Sequence, residues 1–163
     1  MDEELIIRSG LRPGDLGAII KLHGEYYNKA NGFDCTFEPY VAVPLSEFVL
    51  RNQTNERVWV IDKNKTIKGS IAIVDSGNNT AQLRWYIIEE SLQGCGLGRK
   101  LIETAIEFAK NNEYQSIILW TVDTLDRAIN IYKRYGFEVI EEKRHVLWGK
   151  ELNEQCYKLG IEN

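Results

Sequence analysis

Three glycines at alternate positions, Gly94, Gly96 and Gly98, stand between the apolar run WYII (85–88) and a segment with helical patterning. A strand must end before them and a helix must begin within them, because Leu101, Ile102, Ala105, Ile106 and Ala109 recur at helical spacing. The first amides of a helix lack intrahelical partners, the helix dipole adds partial positive charge, and absent side chains let an anion approach the backbone. The loop therefore reads as an anion site, with Arg99 placed to add a charge-assisted contact.

What precedes the loop narrows the anion. RVWVI, TIKGSIAIV and TAQLRWYII are β-rich runs separated by turn residues at 62–65 and 76–79, which predicts an antiparallel meander over 57–88. A P-loop needs Ser or Thr after its lysine, whereas Lys100 is followed by Leu101. A dinucleotide-binding glycine motif follows the first strand of a parallel βαβ unit, not a meander.

Elsewhere, LIIRS (5–9) predicts a short strand. Pro13, Gly14 and Asp15 open a helix carrying Leu16, Ile19, Ile20, Leu22 and His23, and Asn31, Gly32 and Asp34 break it. A second helix is expected over 40–51, with Pro44 near its start or kinking it. SIILWTV (116–122) is a strand, 125–135 an amphipathic helix stopped by Gly136, and FEVIEEKRHVLWGKEL with CYKLGI one or two closing strands. The order is β α α β β β α β α β β: an α/β, or α+β, mixed sheet, mostly antiparallel, with helices on both faces. Residues 1–163 are expected to form one domain.

Twenty basic against 24 acidic residues give a net charge of −4 without a basic cluster, which argues against nucleic acid as a partner. Acidic residues in MDEELIIRSG and the lack of an apolar run near ~18 residues argue against a secretory signal or membrane helix and for a cytoplasmic protein. Cys35, Cys95 and Cys156 are widely spaced with no CxxC pair, so neither a disulfide framework nor a metal site is expected. Cys95 lies in the loop, but no histidine at a recognisable spacing activates it as a nucleophile.

The loop, the amphipathic helix, IILWTV and AINIYKRYGFEV together resemble the GNAT superfamily of N-acetyltransferases over roughly residues 5–149. The family's Gln/Arg-x-x-Gly-x-Gly/Ala pattern is met by Gln93, Gly96 and Gly98. More narrowly, HGEYYNKANGFDCTFEPYVAVPLSEF with LWTVDTLDRAINIY is similar to the acetyltransferase half of proteins fused to a MarR-type regulator.

The resemblance implies acetyl-CoA as cosubstrate, with pantetheine along Tyr86, Ile87 and Ile88. It also implies a pyrophosphate held by the Gln93, Gly94, Cys95, Gly96, Leu97, Gly98 and Arg99 loop. A backbone N–H near Ile88 would polarise the thioester carbonyl. Tyr132, on the helix before the Gly-Phe pair, takes the position of the group that protonates the leaving thiolate.

Gln82 and Trp120 stand where relatives often carry a glutamate, and Leu125 where they often carry a pantetheine-binding asparagine. The base that takes the amine proton therefore stays open among Asp123, Glu89, His145 and a water wire. Tyr26, Tyr27, Phe33 and Asp34, with Phe37, Glu38 and Tyr40, fall where the family walls its acceptor pocket, and aromatic faces near carboxylates suit an ammonium ion. A small-molecule or peptide amine is the expected partner, and a homodimer is allowed. The competing reading is an acyl-CoA-binding regulatory or sensing module with little turnover.

Overall fold

The computed structural model describes residues 4–162. Its elements run β1 (Leu5–Ser9), α1 (Asp15–Asn31), α2 (Phe37–Arg51), β2 (Arg57–Lys63), β3 (Thr66–Asp75) and β4 (Thr80–Ile88). After a 3₁₀ turn (Glu90–Leu92) come α3 (Leu97–Asn111), β5 (Ser116–Val122), α4 (Asp126–Arg134), β6 (Glu138–Leu147) and β7 (Lys150–Gly160). The strands form one sheet in the order β1-β2-β3-β4-β5-β7-β6, in which β4 and β5 pair in parallel and the other neighbours are antiparallel. The expected element order and the mixed sheet are both present.

The continuous apolar runs of β2 and β3 follow from helices covering both sheet faces, since neither set of side chains then meets water. On one face α1 and α2 bury Ile19, Phe37, Val41 and Leu45 against Val58, Val60 and Val74. On the other, α3 buries Leu101, Ile102, Ala105 and Ala109 against Ile71, Ile73 and Ile117. β6, at the sheet edge, is mostly exposed and carries Glu141, Glu142, Lys143 and Arg144, the charges that keep an edge from pairing with another chain.

Two irregularities position the site. The parallel pairing of β4 with β5 is confined to Thr80↔Ser116, Ala81↔Ile117 and Gln82↔Ile118, so the strands diverge beyond those residues and leave a gap in the sheet. The second is a bulge: Ala72 pairs with Arg84 and Ser70 with Ile87, so Trp85 and Tyr86 together oppose Ile71, and Trp85 takes φ of +50°. Side-chain parity switches there. Ala81 and Leu83 face α3, Trp85 turns to the α1–α2 side, and Tyr86 and Ile88 return to the α3 side. The buried Ser70 hydroxyl donates to the Trp85 carbonyl at 2.6 Å and so holds the bulge.

One local boundary shifts, and two open alternatives close. α2 begins at Phe37 rather than residue 40, because Phe37 is buried among Tyr27, Phe33 and Trp148 and joins the helix that presents it. Pro44 lies in the interior of α2 rather than near its start. The closing strands are two, joined by the two-residue turn Trp148–Gly149 with φ of +53° and +80°, the backbone signs of a type I′ hairpin.

Candidate active site

A cleft of about 930 Å³ opens where β4 parts from β5, and Tyr86, Ile87 and Ile88 form one wall. The glycine loop closes one end. Gly94 and Gly96 sit at φ of +78° and +86°, where an L side chain is strained but meets no neighbour; Gly96 is the N-cap of α3 and supplies no side-chain bond. Gly98 has a different reason: an added Cβ would stand 2.5 Å from the Tyr86 hydroxyl and 3.1 Å from Ile88 Cδ1. Among the described residues, no backbone amide from Gly94 to Arg99 donates to another protein group, leaving the helix start ready for an oxyanion.

Gln93 fastens this loop. Its Nε2 donates to the Ile88 carbonyl at 2.9 Å and to the Tyr26 hydroxyl at 3.0 Å, and its Oε1 accepts from Arg127 of α4. Arg127 and Arg134 line the cleft from α4, and neither stood out in the sequence; Arg134 lies inside the YKRYGF motif, which was its one signal. Arg99 also lines the cleft but pairs with Glu103 at 2.9 Å on an exposed helix face. Cys95 and Leu97 contribute backbone: the exposed Cys95 thiol donates to the Leu92 carbonyl, and Leu97 packs against the α3-side core.

A second, smaller chamber of about 110 Å³ lies beside the cleft on the α1–α2 side. Tyr27, Tyr86, Leu125 and Ala128 line both spaces, so the two adjoin. Tyr132, one helical turn after Ala128, lines the chamber, with its ring 6.1 Å from that of Tyr86. Although the Tyr132 side chain is buried, its hydroxyl has no hydrogen-bond partner among the described residues. Burial, with the Tyr27 and Tyr86 hydroxyls nearby, pushes Tyr132 well above the ordinary phenol value, and burial raises Tyr86 to about 12. Both are donors throughout the neutral range.

Aromatic rings wall the chamber. Trp148 stands 4.8 Å from Phe33, 4.8 Å from Phe37 and 4.9 Å from Tyr40, brought across the molecule when the Asp34 amide donates to the Trp148 carbonyl at 3.0 Å. The expected acceptor residues divide. Tyr27 and Phe33 line the chamber, whereas Tyr26 lines the cleft and holds Gln93. Asp34 is exposed and accepts from the Thr36 amide at 3.0 Å and from the Thr36 hydroxyl, bracing the turn into α2. Glu38 lies against α1 at Gly24. The pairing of aromatics with carboxylates expected from the sequence is therefore not what lines this chamber.

The candidate bases lie outside both spaces. Glu89 is held by Lys68 at 2.6 Å and by the Ser91 hydroxyl at 3.0 Å, and its carboxyl falls below the usual range chiefly through Lys68. Asp123 is exposed at the end of β5. His145, on β6, stands 3.5 Å from Glu154.

His23, read from the sequence only as part of a helical stripe, does line the chamber. Its Nδ1 is 2.8 Å from the Ile19 carbonyl, which requires the Nδ1–H tautomer, and burial lowers its pKa to about 4. A neutral buried histidine opposes unfolding fully above the ordinary value of 6.5, and that contribution is lost as pH falls toward about 4, because the unfolded chain binds the proton first. Wild-type protein in urea titrations should lose about 2 kcal/mol more stability between pH 7 and 5 than His23→Leu. Parallel stability-against-pH curves for the two proteins would show that His23 does not titrate as its burial requires.

Comparison with solved structures gives the class of fold. An acetyltransferase of the GNAT family from Staphylococcus aureus superposes with a TM-score of 0.77 at 18% identity, over 98% of this chain and 100% of that one. A Salmonella typhimurium structure solved with its cofactor acetyl-CoA gives 0.76 at 19% identity, over 97% and 94%. Among curated sequences, an uncharacterized N-acetyltransferase from Schizosaccharomyces pombe is 28% identical over 85 residues, and that match spans 52% of each protein. The chain thus spans about half the length of that relative.

The GNAT acetyltransferase family profile matches residues 19–137, and the chain belongs to that family. Acetyl-CoA is the family's acyl donor. The cleft suits that molecule on its own terms: a free-amide helix start for a pyrophosphate, a packed Gly98 that keeps the floor low, and a parted strand end whose backbone is open to an extended arm.

Proposed function

We propose that this protein transfers an acetyl group from acetyl-CoA to a primary amine by direct attack. The observation that carries the reading is the junction of a cleft suited to the donor with a separate aromatic chamber at Tyr27, Tyr86, Leu125 and Ala128, beside which the uncommitted Tyr132 hydroxyl lines the chamber. The amides of Gly94 to Arg99 hold the pyrophosphate, with Arg127 and Arg134 adding positive charge, and the β4 backbone at Tyr86 to Ile88 aligns the pantetheine arm. The donor supplies a thioester whose carbonyl accepts the amine.

The reaction balances when the amine nitrogen gains the acyl group and loses a proton while the sulfur leaves and gains one. Tyr132 donates at the sulfur, which suits a phenol that stays protonated beside a thiol of ordinary pKa about 8.5. The amine proton leaves through water, since Asp123, Glu89 and His145 line neither space. Desolvation between aromatic rings favours the neutral, nucleophilic amine.

The segments that carry the narrower likeness to MarR-fused acetyltransferases, 23–48 and 119–132, include many of the chamber-lining residues, so shared acceptor chemistry is the part of that likeness bearing on function. A cytoplasmic setting, where acetyl-CoA is at hand, belongs to the same reading. Among the described residues, no helix is long and apolar enough to cross a membrane.

Thiol release from acetyl-CoA across an amine panel tests the proposal. Amine-dependent release with a matching acetylated product is expected. Binding of acetyl-CoA with no release on any amine would favour the sensing module instead.

A further inference from the structure

The lining of the small chamber contains no carboxylate among the described residues, and it contains one guanidinium, that of Arg84. Arg84 faces the chamber by ordinary alternation with Leu83, and the β4 bulge sets Trp85 beside it. Because Trp85 turns to the same sheet face as its neighbour, the guanidinium lies over the Trp85 ring, 5.1 Å from its centroid, and extends toward the Tyr40 hydroxyl. No Asp or Glu of the described residues lies within ion-pair distance of it; Glu47 and Arg51 act on it only from afar and in opposite senses. Burial pulls the group below its ordinary value, yet it stays charged at neutral pH. A half-buried cation held by one indole face and a phenol, and left without a counter-ion among the described residues, is costly unless an anion completes it.

Resting on the acetyl-transfer reading above, we propose that the acceptor is an amine that also carries a carboxylate, a free amino acid or close analogue, and that Arg84 binds the carboxylate. A planar guanidinium matches a carboxylate with two parallel hydrogen bonds. The aromatic walls then hold the rest of the acceptor, and its amino group is directed to the junction beside Tyr132. The chamber is small, about 110 Å³, which suits a single residue rather than a folded protein surface.

The test compares free amino acids with their amides and with the corresponding decarboxylated amines as acceptors, for wild type and Arg84→Gln. Loss of a polar group that a site was built to bind discriminates by about 10²-fold or more, so wild-type kcat/KM should favour the free acids by that factor. Arg84→Gln should lose about 100-fold on the acids and little on the decarboxylated amines, with acetyl-CoA affinity kept. Transfer without preference for the acids, or an equal loss on both classes in Arg84→Gln, would overturn the carboxylate site while leaving the acetyltransferase reading intact.

Tryptophan fluorescence titrations with N-acetylated amino acids and their amides, in the presence of CoA, keep the two questions apart. Acid-selective binding that Arg84→Gln abolishes supports the site even if no amine is turned over. Equal binding of acid and amide overturns it.

Discussion

Gly96→Val should lower acetyl-CoA affinity by about 100-fold, equivalent to ~2.7 kcal/mol, which corresponds to one or two charge-assisted N–H bonds to phosphate. The residue caps α3 at φ of +86°, and its surroundings are open, so the defect is backbone strain and not a clash. An L residue in the left-handed region costs roughly 1–2 kcal/mol, and a branched one relieves the strain by rotating the peptide planes that aim the amides. Stability in urea should fall by about that strain or less, while affinity falls by more. Cys95→Ser is the control: the side chain is exposed, bonds only the Leu92 carbonyl, and lies outside the cleft lining, so affinity should hold within about threefold. Calorimetric titration checks both variants. An unchanged affinity in Gly96→Val would mean that the anion does not sit on the loop.

Tyr132→Phe should reduce kcat by about 10²-fold, the lower range for removal of a positioned proton donor, with acetyl-CoA affinity unchanged. Here the structure gives an unusual control. Since the side chain is buried but its hydroxyl bonds no protein group among the described residues, its removal sacrifices no protein hydrogen bond, and the melting temperature should stay level or rise. Tyr135→Phe loses a contact to Glu103 on the exposed side of the cleft and should leave kcat within about threefold. Steady-state thiol release at saturating acetyl-CoA is the measurement. A wild-type kcat in Tyr132→Phe would move proton donation to water or another group.

The parts of the fold that were legible in the sequence are those with a local physical cause. The helical period from Leu101 to Ala109, the turn residues between the meander strands and Gly136 after α4 each fix an element from neighbours in the chain. The bulge at Trp85 has no such cause. It depends on how β3 pairs with β4, and TAQLRWYII alternates no differently for containing it. Arg84 was unreadable for the same reason, because the parity change at the bulge sets its surroundings.

Trp148 shows a similar limit. A two-residue turn with both φ positive is signalled by Asn-Gly or Asp-Gly, and Trp-Gly at 148–149 carries only half the signal. Its arrival in the chamber depends on a hydrogen bond to Asp34, more than a hundred residues away. Asp34 itself was placed in the acceptor pocket by the family resemblance, but an aspartate followed two residues on by a threonine serves equally to brace a turn, and that is its geometry. The glycine loop was legible because its reasons are local, two glycines for φ and one for close approach.

Donor binding at this site depends most on a pyrophosphate held at that loop. Titration of the protein with acetyl-CoA and with acetylpantetheine, which keeps the arm and thioester but lacks the pyrophosphate and nucleotide, measures this directly. Acetyl-CoA should bind about 100-fold tighter or more, with the advantage shrinking as salt is raised. Equal affinity for the two, insensitive to salt, would contradict the account.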